Sequence, residues 1–186
     1  MLVQYQKGWA DLVWAKELSV RGTRKHKLLG GVFAHVSDDN STVHFKRLPS
    51  RSRNIEERDW AVDIRRFNRE DFVVDPAQDL LIIVAQPERS ALRKAVISLS
   101  EHYRRSPRGR DYQIFSLTAS TGDPHPLGSG IFTHTTRGEL HFRMLCEDIL
   151  CLMFKNIDSG EMEIAFWNWK AGSILAVRQI NFMNPC

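Results

Sequence analysis

The sequence predicts an all-β chain of antiparallel four-stranded blades, a partial, about three-blade, propeller-like arc with one helical insertion. Three observations predict it. A carboxylate followed by an unbroken apolar run of strand length occurs twice, as Asp79-Leu80-Leu81-Ile82-Ile83-Val84 and as Asp148-Ile149-Leu150-Cys151-Leu152-Met153-Phe154. Each run is followed by a second strand-like run that closes in a glycine turn: residues 112–117 ending at Thr121-Gly122, and 163–169 ending at Lys170-Ala171-Gly172. Finally, turn signals divide the C-terminal half into short strands at about 8–14 residue intervals, the rhythm of an antiparallel fold.

Residues 1–27 form an N-terminal connector, in which Trp9, Leu12, Val13 and Trp14 are spaced to share a face of a short helix. The propeller-like domain is expected over 28–186. Residues 28–36 read as a strand with Gly30-Gly31 at its start, and Ser37-Asp38-Asp39-Asn40-Ser41 as a turn cluster. Residues 42–48 alternate apolar and polar, as a half-buried strand does, and Pro49 ends it, so 28–48 is a hairpin. Residues 50–59 form a charged loop. Short strands follow at 60–64 and 72–74, the latter stopped by Asp75-Pro76. The run from Leu80 to Ala85 is continuous rather than alternating, which places it centrally, covered on both faces. Beyond it, residues 131–135, 139–145, 149–155, 163–169 and 174–180 are strands between turn signals.

Residues 87–110 break this rhythm. Ala91, Leu92, Ala95, Val96, Leu99 and Tyr103 fall near one face of a helix over about 90–104, with arginines on the other. Asp79 and Asp148 lie 69 residues apart, and setting aside this 24-residue segment leaves 45. A period of roughly 40–50 residues with four strands per unit is that of a propeller blade. The chain then holds about three blades, the first incomplete, where closed propellers have about four to eight. The same segment explains the net charge of +4. Arg89, Arg93, Lys94, Arg104, Arg105, Arg108 and Arg110 face only Glu88 and Glu101 there, so the segment carries +5 and the rest −1. This basic patch offers a nucleic-acid-binding alternative acting through 89–110; a solvated helix face is the plainer reading.

With 42% apolar and 26% charged residues, the chain can bury a core. No apolar run approaches the roughly 20 residues that span a bilayer, and the N-terminus lacks a secretory pattern, so an intracellular protein without membrane contact is expected. Cys146, Cys151 and Cys186 are too few for a disulfide framework; Cys146 and Cys151 read as buried free thiols. No catalytic set, cofactor site or metal site is expected, and the chain is read as a non-enzyme. His35 and His44 can face each other across the first hairpin without a third ligand of fitting spacing, and His134 and His141 are no better supplied. Asp75 and Asp79 invite a carboxylate-pair reading, but Asp75-Pro76 makes a turn and Asp79 can accept backbone amides before the buried strand. Trp60, Phe115, Phe166, Trp167 and Trp169 read as packing residues, with Trp167 and Trp169 on one side of their strand and Phe166 and Asn168 on the other.

The words Leu29-Gly30-Gly31-Val32-Phe33-Ala34, Leu48-Pro49-Ser50-Arg51, Asp71-Phe72-Val73-Val74-Asp75-Pro76-Ala77-Gln78-Asp79-Leu80-Leu81, Thr121-Gly122-Asp123-Pro124-His125-Pro126-Leu127 and Trp167-Asn168-Trp169-Lys170-Ala171-Gly172 resemble a large family of fungal, mainly mushroom-type, F-box proteins. Gly8-Trp9-Ala10-Asp11-Leu12-Val13-Trp14 looks like the segment joining the F-box to the propeller-like body in that family. The resemblance covers nearly the whole chain except 87–110. Together with the internal repeat it points to Asp75, Pro76, Gln78, Asp79, Gly122, Asp148, Trp167, Trp169 and Gly172 as structural repeat positions. It also implies a protein-interaction module of the kind that recruits substrates to a cullin-type ubiquitin ligase, with a Skp-type adaptor docking only where an F-box lies upstream. The chain departs from the family in three ways: no F-box precedes Gly8, the sequence stops at Cys186 before further blades, and 87–110 replaces a shorter loop. A fragment is therefore expected.

Overall fold

The computed structural model describes residues 25–50, 53–87 and 109–180. The helix expected within 1–27 and the basic helical insertion, with Arg89, Arg93, Lys94, Arg104, Arg105 and Arg108, lie outside the described residues, as does Cys186. The described residues form twelve strands and no α-helix. The strands make three antiparallel four-stranded sheets, each a meander in chain order. Sheet 1 holds β1 (His26–Leu29), β2 (Val32–Val36), β3 (Thr42–Arg47) and β4 (Arg58–Asp63). Sheet 2 holds β5 (Arg69–Asp75), β6 (Leu80–Ala85), β7 (Arg110–Thr118) and β8 (Ile131–Thr136). Sheet 3 holds β9 (Glu139–Cys146), β10 (Ile149–Lys155), β11 (Met162–Asn168) and β12 (Ser173–Ile180).

Residues 28–36, expected as one strand, are two. Gly30 and Gly31 sit at φ 56 and 75, the pair of positive values that a two-residue type I′ hairpin turn demands, so Leu29 pairs with Val32 and the chain folds back on itself. β1 begins at His26, inside what reads as a polar connector, and the first sheet is a complete four-stranded unit rather than an incomplete one.

The repeat extends to individual hydrogen bonds. In each sheet the residue before the second strand accepts, on its carbonyl, the N–H of the residue after the third. The pairs are Leu48 to Gly31 at 2.7 Å, Ala119 to Asp79 at 2.7 Å and Trp169 to Asp148 at 3.1 Å. Asp79 and Asp148 are thus equivalent positions, and the two Asp-led runs are the second strands of sheets 2 and 3.

Side-chain alternation then stacks the sheets. Every residue of β6 is buried. Leu81, Ile83 and Ala85 pack on sheet 1, against Val32, Ala34 and Phe45; Leu80, Ile82 and Val84 pack on sheet 3, against Leu150, Leu152 and Phe154. A strand sandwiched in this way has no face left for polar residues, which is why its sequence runs apolar without alternation. β5, the first strand of its sheet, adjoins both β1 and β9, so the three first strands share one inner edge.

The turn after β7 is fitted against sheet 1. Gly122 has φ 81, and a Cβ on it would stand 2.4 Å from Val62 Cγ1. Its carbonyl accepts the Arg66 guanidinium at 3.0 Å. Gly122→Ala forces an L-residue into left-handed backbone and overpacks the seam, and is expected to cost about 1–3 kcal/mol in urea unfolding.

The two outer faces of the stack differ in character. The face of sheet 1 turned away from sheet 2 carries the cross-strand row His26, His35 and His44, with Leu28, Phe33, Lys46 and Asp59 beside it. The corresponding face of sheet 3 carries Ile149, Cys151 and Met153, which occupy the positions at which Leu80, Ile82 and Val84 of sheet 2 meet their neighbour. Met144 and Phe142 extend this face and are 50% and 45% exposed. Apolar sheet faces of this kind drive association. The chain is expected to self-associate in solution, and Phe142→Lys with Met144→Glu to shift it toward monomer in analytical ultracentrifugation.

Candidate functional site

The β8–β9 and β10–β11 connections lie at the same end of sheets 2 and 3, the end from which β6 leaves and at which β7 begins. A cleft of about 640 Å³ opens there between the two sheets. Arg137 and Gly138 of the β8–β9 turn, Asn156 and Glu161 of the β10–β11 turn, and Gln179 of β12 line it, with Gly109 beside the start of β7.

Glu163 also lines it and is paired with the buried His134. In β8 alternate residues Phe132, His134 and Thr136 are turned inward, and His134 is 8% exposed. The imidazole stacks on Phe154, with centroids 5.0 Å apart, and meets Trp167 edge-on at 5.7 Å. Its Nε2 lies 2.7 Å from Glu163 Oε1, so the ring donates to the carboxylate. The other carboxylate oxygen accepts the Gln179 amide at 2.6 Å. A buried imidazole is thereby fully committed on its Nε2 side, and the pair bridges sheet 2 to sheet 3 where their apolar faces end. Thr135 points to the opposite side of β8, and its hydroxyl donates to Asp111 at 2.7 Å. Among the described residues no group of His, Cys, Asp and Glu is arranged to hold a metal ion.

Most of the sequence-predicted motif residues gather at the opposite end. Asp75 closes its turn by accepting the Ala77 N–H at 2.9 Å and the Gln78 amide at 2.8 Å. Gln78 donates onward to the Glu147 carbonyl at 2.9 Å, tying the β5–β6 turn of sheet 2 to the β9–β10 turn of sheet 3. Trp169 donates its indole N–H to the same carbonyl at 3.0 Å, and buried His125 packs edge-on against Trp169 while its Nε2 meets the Gln78 carbonyl at 2.9 Å. Asp148 pairs with Lys170 at 2.6 Å, and Gly172 turns the chain at φ 64. Pro76 sits in the Asp75 turn, beside Gly30. The expected role of Asp79 needs correction. Its carboxylate accepts the Ser120 hydroxyl at 2.6 Å rather than strand-leading amides, and its contribution to the turn is a backbone at φ 51. Asp75 and Asp79 therefore have separate partners and form no carboxylate pair.

The remaining candidates separate. His35 and His44 do stack across the first hairpin, centroids 5.1 Å apart. His134 is committed to Glu163, while His141 is exposed at a bulge in β9. Trp167 and Trp169 are both buried between sheets 2 and 3, whereas Phe166 lies on the open face of sheet 3. Cys151 is buried, which raises its thiol pKa, but Cys146 is exposed rather than buried. Of the basic patch only Arg110 is described, and it pairs with Glu139 across the sheet 2–sheet 3 seam. Sequence reasoning missed Glu163, Gln179 and His125. The alternation around Phe132 places His134 on a buried face, but its partner lies 29 residues away, beyond any local pattern.

No family model matches the chain, and no curated protein or solved structure matches it.

Glu163→Ala removes the acceptor of two side chains, one of them buried. It is expected to lower stability by about 1–3 kcal/mol in urea unfolding, and Glu163→Gln, which keeps an acceptor for His134, to cost less.

Proposed function

We propose that the chain is a protein-interaction module whose three sheets are blades of a partial propeller, resembling the substrate-recognising body of F-box ubiquitin-ligase receptors. Three features support the propeller reading. Each sheet is a four-stranded meander, each outer sheet packs a whole face onto sheet 2, and β1, β5 and β9 adjoin along one inner edge. Blades around an axis have this arrangement.

The observation that carries the binding role is the cleft between sheets 2 and 3. It is open, mixed in charge through Arg137 and Glu161, and built from turns at the ends of rigid strands. Loops held by a scaffold are where binding surfaces concentrate. Glu163 lines the cleft and is held by His134 and Gln179, so the rim turns can change without disturbing the stack. The protein partner is then chosen by the side chains of these turns, and the Skp-type adaptor enters only through an F-box upstream of Gly8.

A photo-reactive residue at Arg137 or Glu161 is expected to form protein adducts in cells, and the same probe at Ser159, outside the cleft lining, to form fewer. Equal labelling at all three positions would remove the cleft from the proposal. Pull-down of the full-length gene product with a Skp-type adaptor tests the ligase reading, and no binding would sink it.

A further inference from the structure

We propose that the shared inner edge of the three sheets is a binding site for a small oxyanion, a phosphate or carboxylate group, held by Lys27 and Arg143. Each first strand brings one charged side chain to this edge: Lys27 from β1, Asp71 from β5 and Arg143 from β9. The register aims them inward. Lys27 stands opposite Ala34 and Arg143 opposite Leu152, both on faces that pack against sheet 2.

Asp71 is buried and both of its oxygens are occupied. One accepts its neighbour's backbone N–H, from Phe72, at 2.8 Å, and the other accepts Arg143 Nη2 at 2.6 Å. A single carboxylate thus faces two cations. The Arg143 Nε–H is shut off from solvent and has no hydrogen-bond partner among the described residues. Lys27 has no hydrogen bond or ion pair there either, and the charges that act on it are those of Arg143 and Asp71. Burial lowers the pKa of Lys27 first, and the Arg143 charge lowers it further, while Asp71 opposes.

A structural ion pair explains Asp71 and Arg143 but not the rest. Leaving a buried guanidinium N–H without an acceptor is unfavourable, and so is a partly desolvated ammonium beside another cation. An oxyanion removes both penalties at once, since its several lone pairs accept from Nε and Nζ together and its charge balances the surplus cation. Asp71 serves as the positioning residue that orients the guanidinium fork.

The test is titration of the ¹⁵N-labelled chain with inorganic phosphate and, separately, with succinate at constant ionic strength, following the Arg143 Nε–H resonance. A saturable shift at millimolar concentration is expected with at least one anion. Phosphate alone identifies a phosphoryl ligand, and succinate alone a carboxylate. Lys27→Met, which disturbs no ion pair, is expected to weaken binding about tenfold, and Lys27→Arg to retain it. No saturable shift with either anion, or unchanged affinity in Lys27→Met, overturns the site.

Discussion

The structure depends on the burial of β6 from both sides. Its alternate side chains serve two different cores, Leu81, Ile83 and Ala85 toward sheet 1 and Leu80, Ile82 and Val84 toward sheet 3. Neither outer sheet has that arrangement among the described residues. Sheets 1 and 3 are each held to the stack by one face, and both faces are held by the same strand and its neighbours β5 and β7. Deep burial of each methylene is worth about 0.8 kcal/mol, so these contacts outweigh the exposed ion pairs at the turns, whose typical value is about 0–1 kcal/mol.

Because two cores share one strand, the polar groups are confined to the ends and edges of the sheets. At one end Gln78 and Trp169 both donate to the Glu147 carbonyl, locking the turns of sheets 2 and 3 together. At the other, His134 and Glu163 bridge the same two sheets. Along the inner edge Asp71 and Arg143 bridge them as well. The sheet 1–sheet 2 seam is closed differently, by Trp60 donating to the Ala119 carbonyl at 2.8 Å and by the fit of Gly122 on Val62. The sheet 2–sheet 3 seam that carries these polar bridges is also the one that opens into the cleft.

The sequence made some of this legible and hid the rest for physical reasons. Strand length and apolar continuity are local properties, so β6 and β10 could be read directly, as could their hairpin partners β7 and β11. The Asp-led repeat survives as a repeated backbone hydrogen bond. The Gly30-Gly31 turn is hidden because a four-residue strand of mixed composition, His26–Leu29, carries no periodic signal of its own; pairing with β2 makes it a strand. The candidate site was less legible. His134 could be placed on an inward face from Phe132, but Glu163 and Gln179 reach it only because sheets 2 and 3 stack. Cys146 looked buried because its neighbours are apolar. It lies on the face of sheet 3 that nothing among the described residues covers, which no local pattern distinguishes from a covered one.

The difference between the two outer faces gives the stack a direction. In a repeat array each unit is stabilised by its own pairing and by its neighbours, and a terminal unit needs a polar outer face to remain in water. Sheet 1 meets that requirement: where sheets 2 and 3 carry Ile83 and Leu152, it carries His35, with His44 opposite and Lys46 paired to Glu57 at 2.6 Å. Sheet 3 does not, because Cys151 and Met153 keep the apolar character that Ile82 and Val84 have in the covered sheet. The same positional logic that makes β6 a buried strand therefore leaves sheet 1 with the more polar outer face and sheet 3 with the more apolar one.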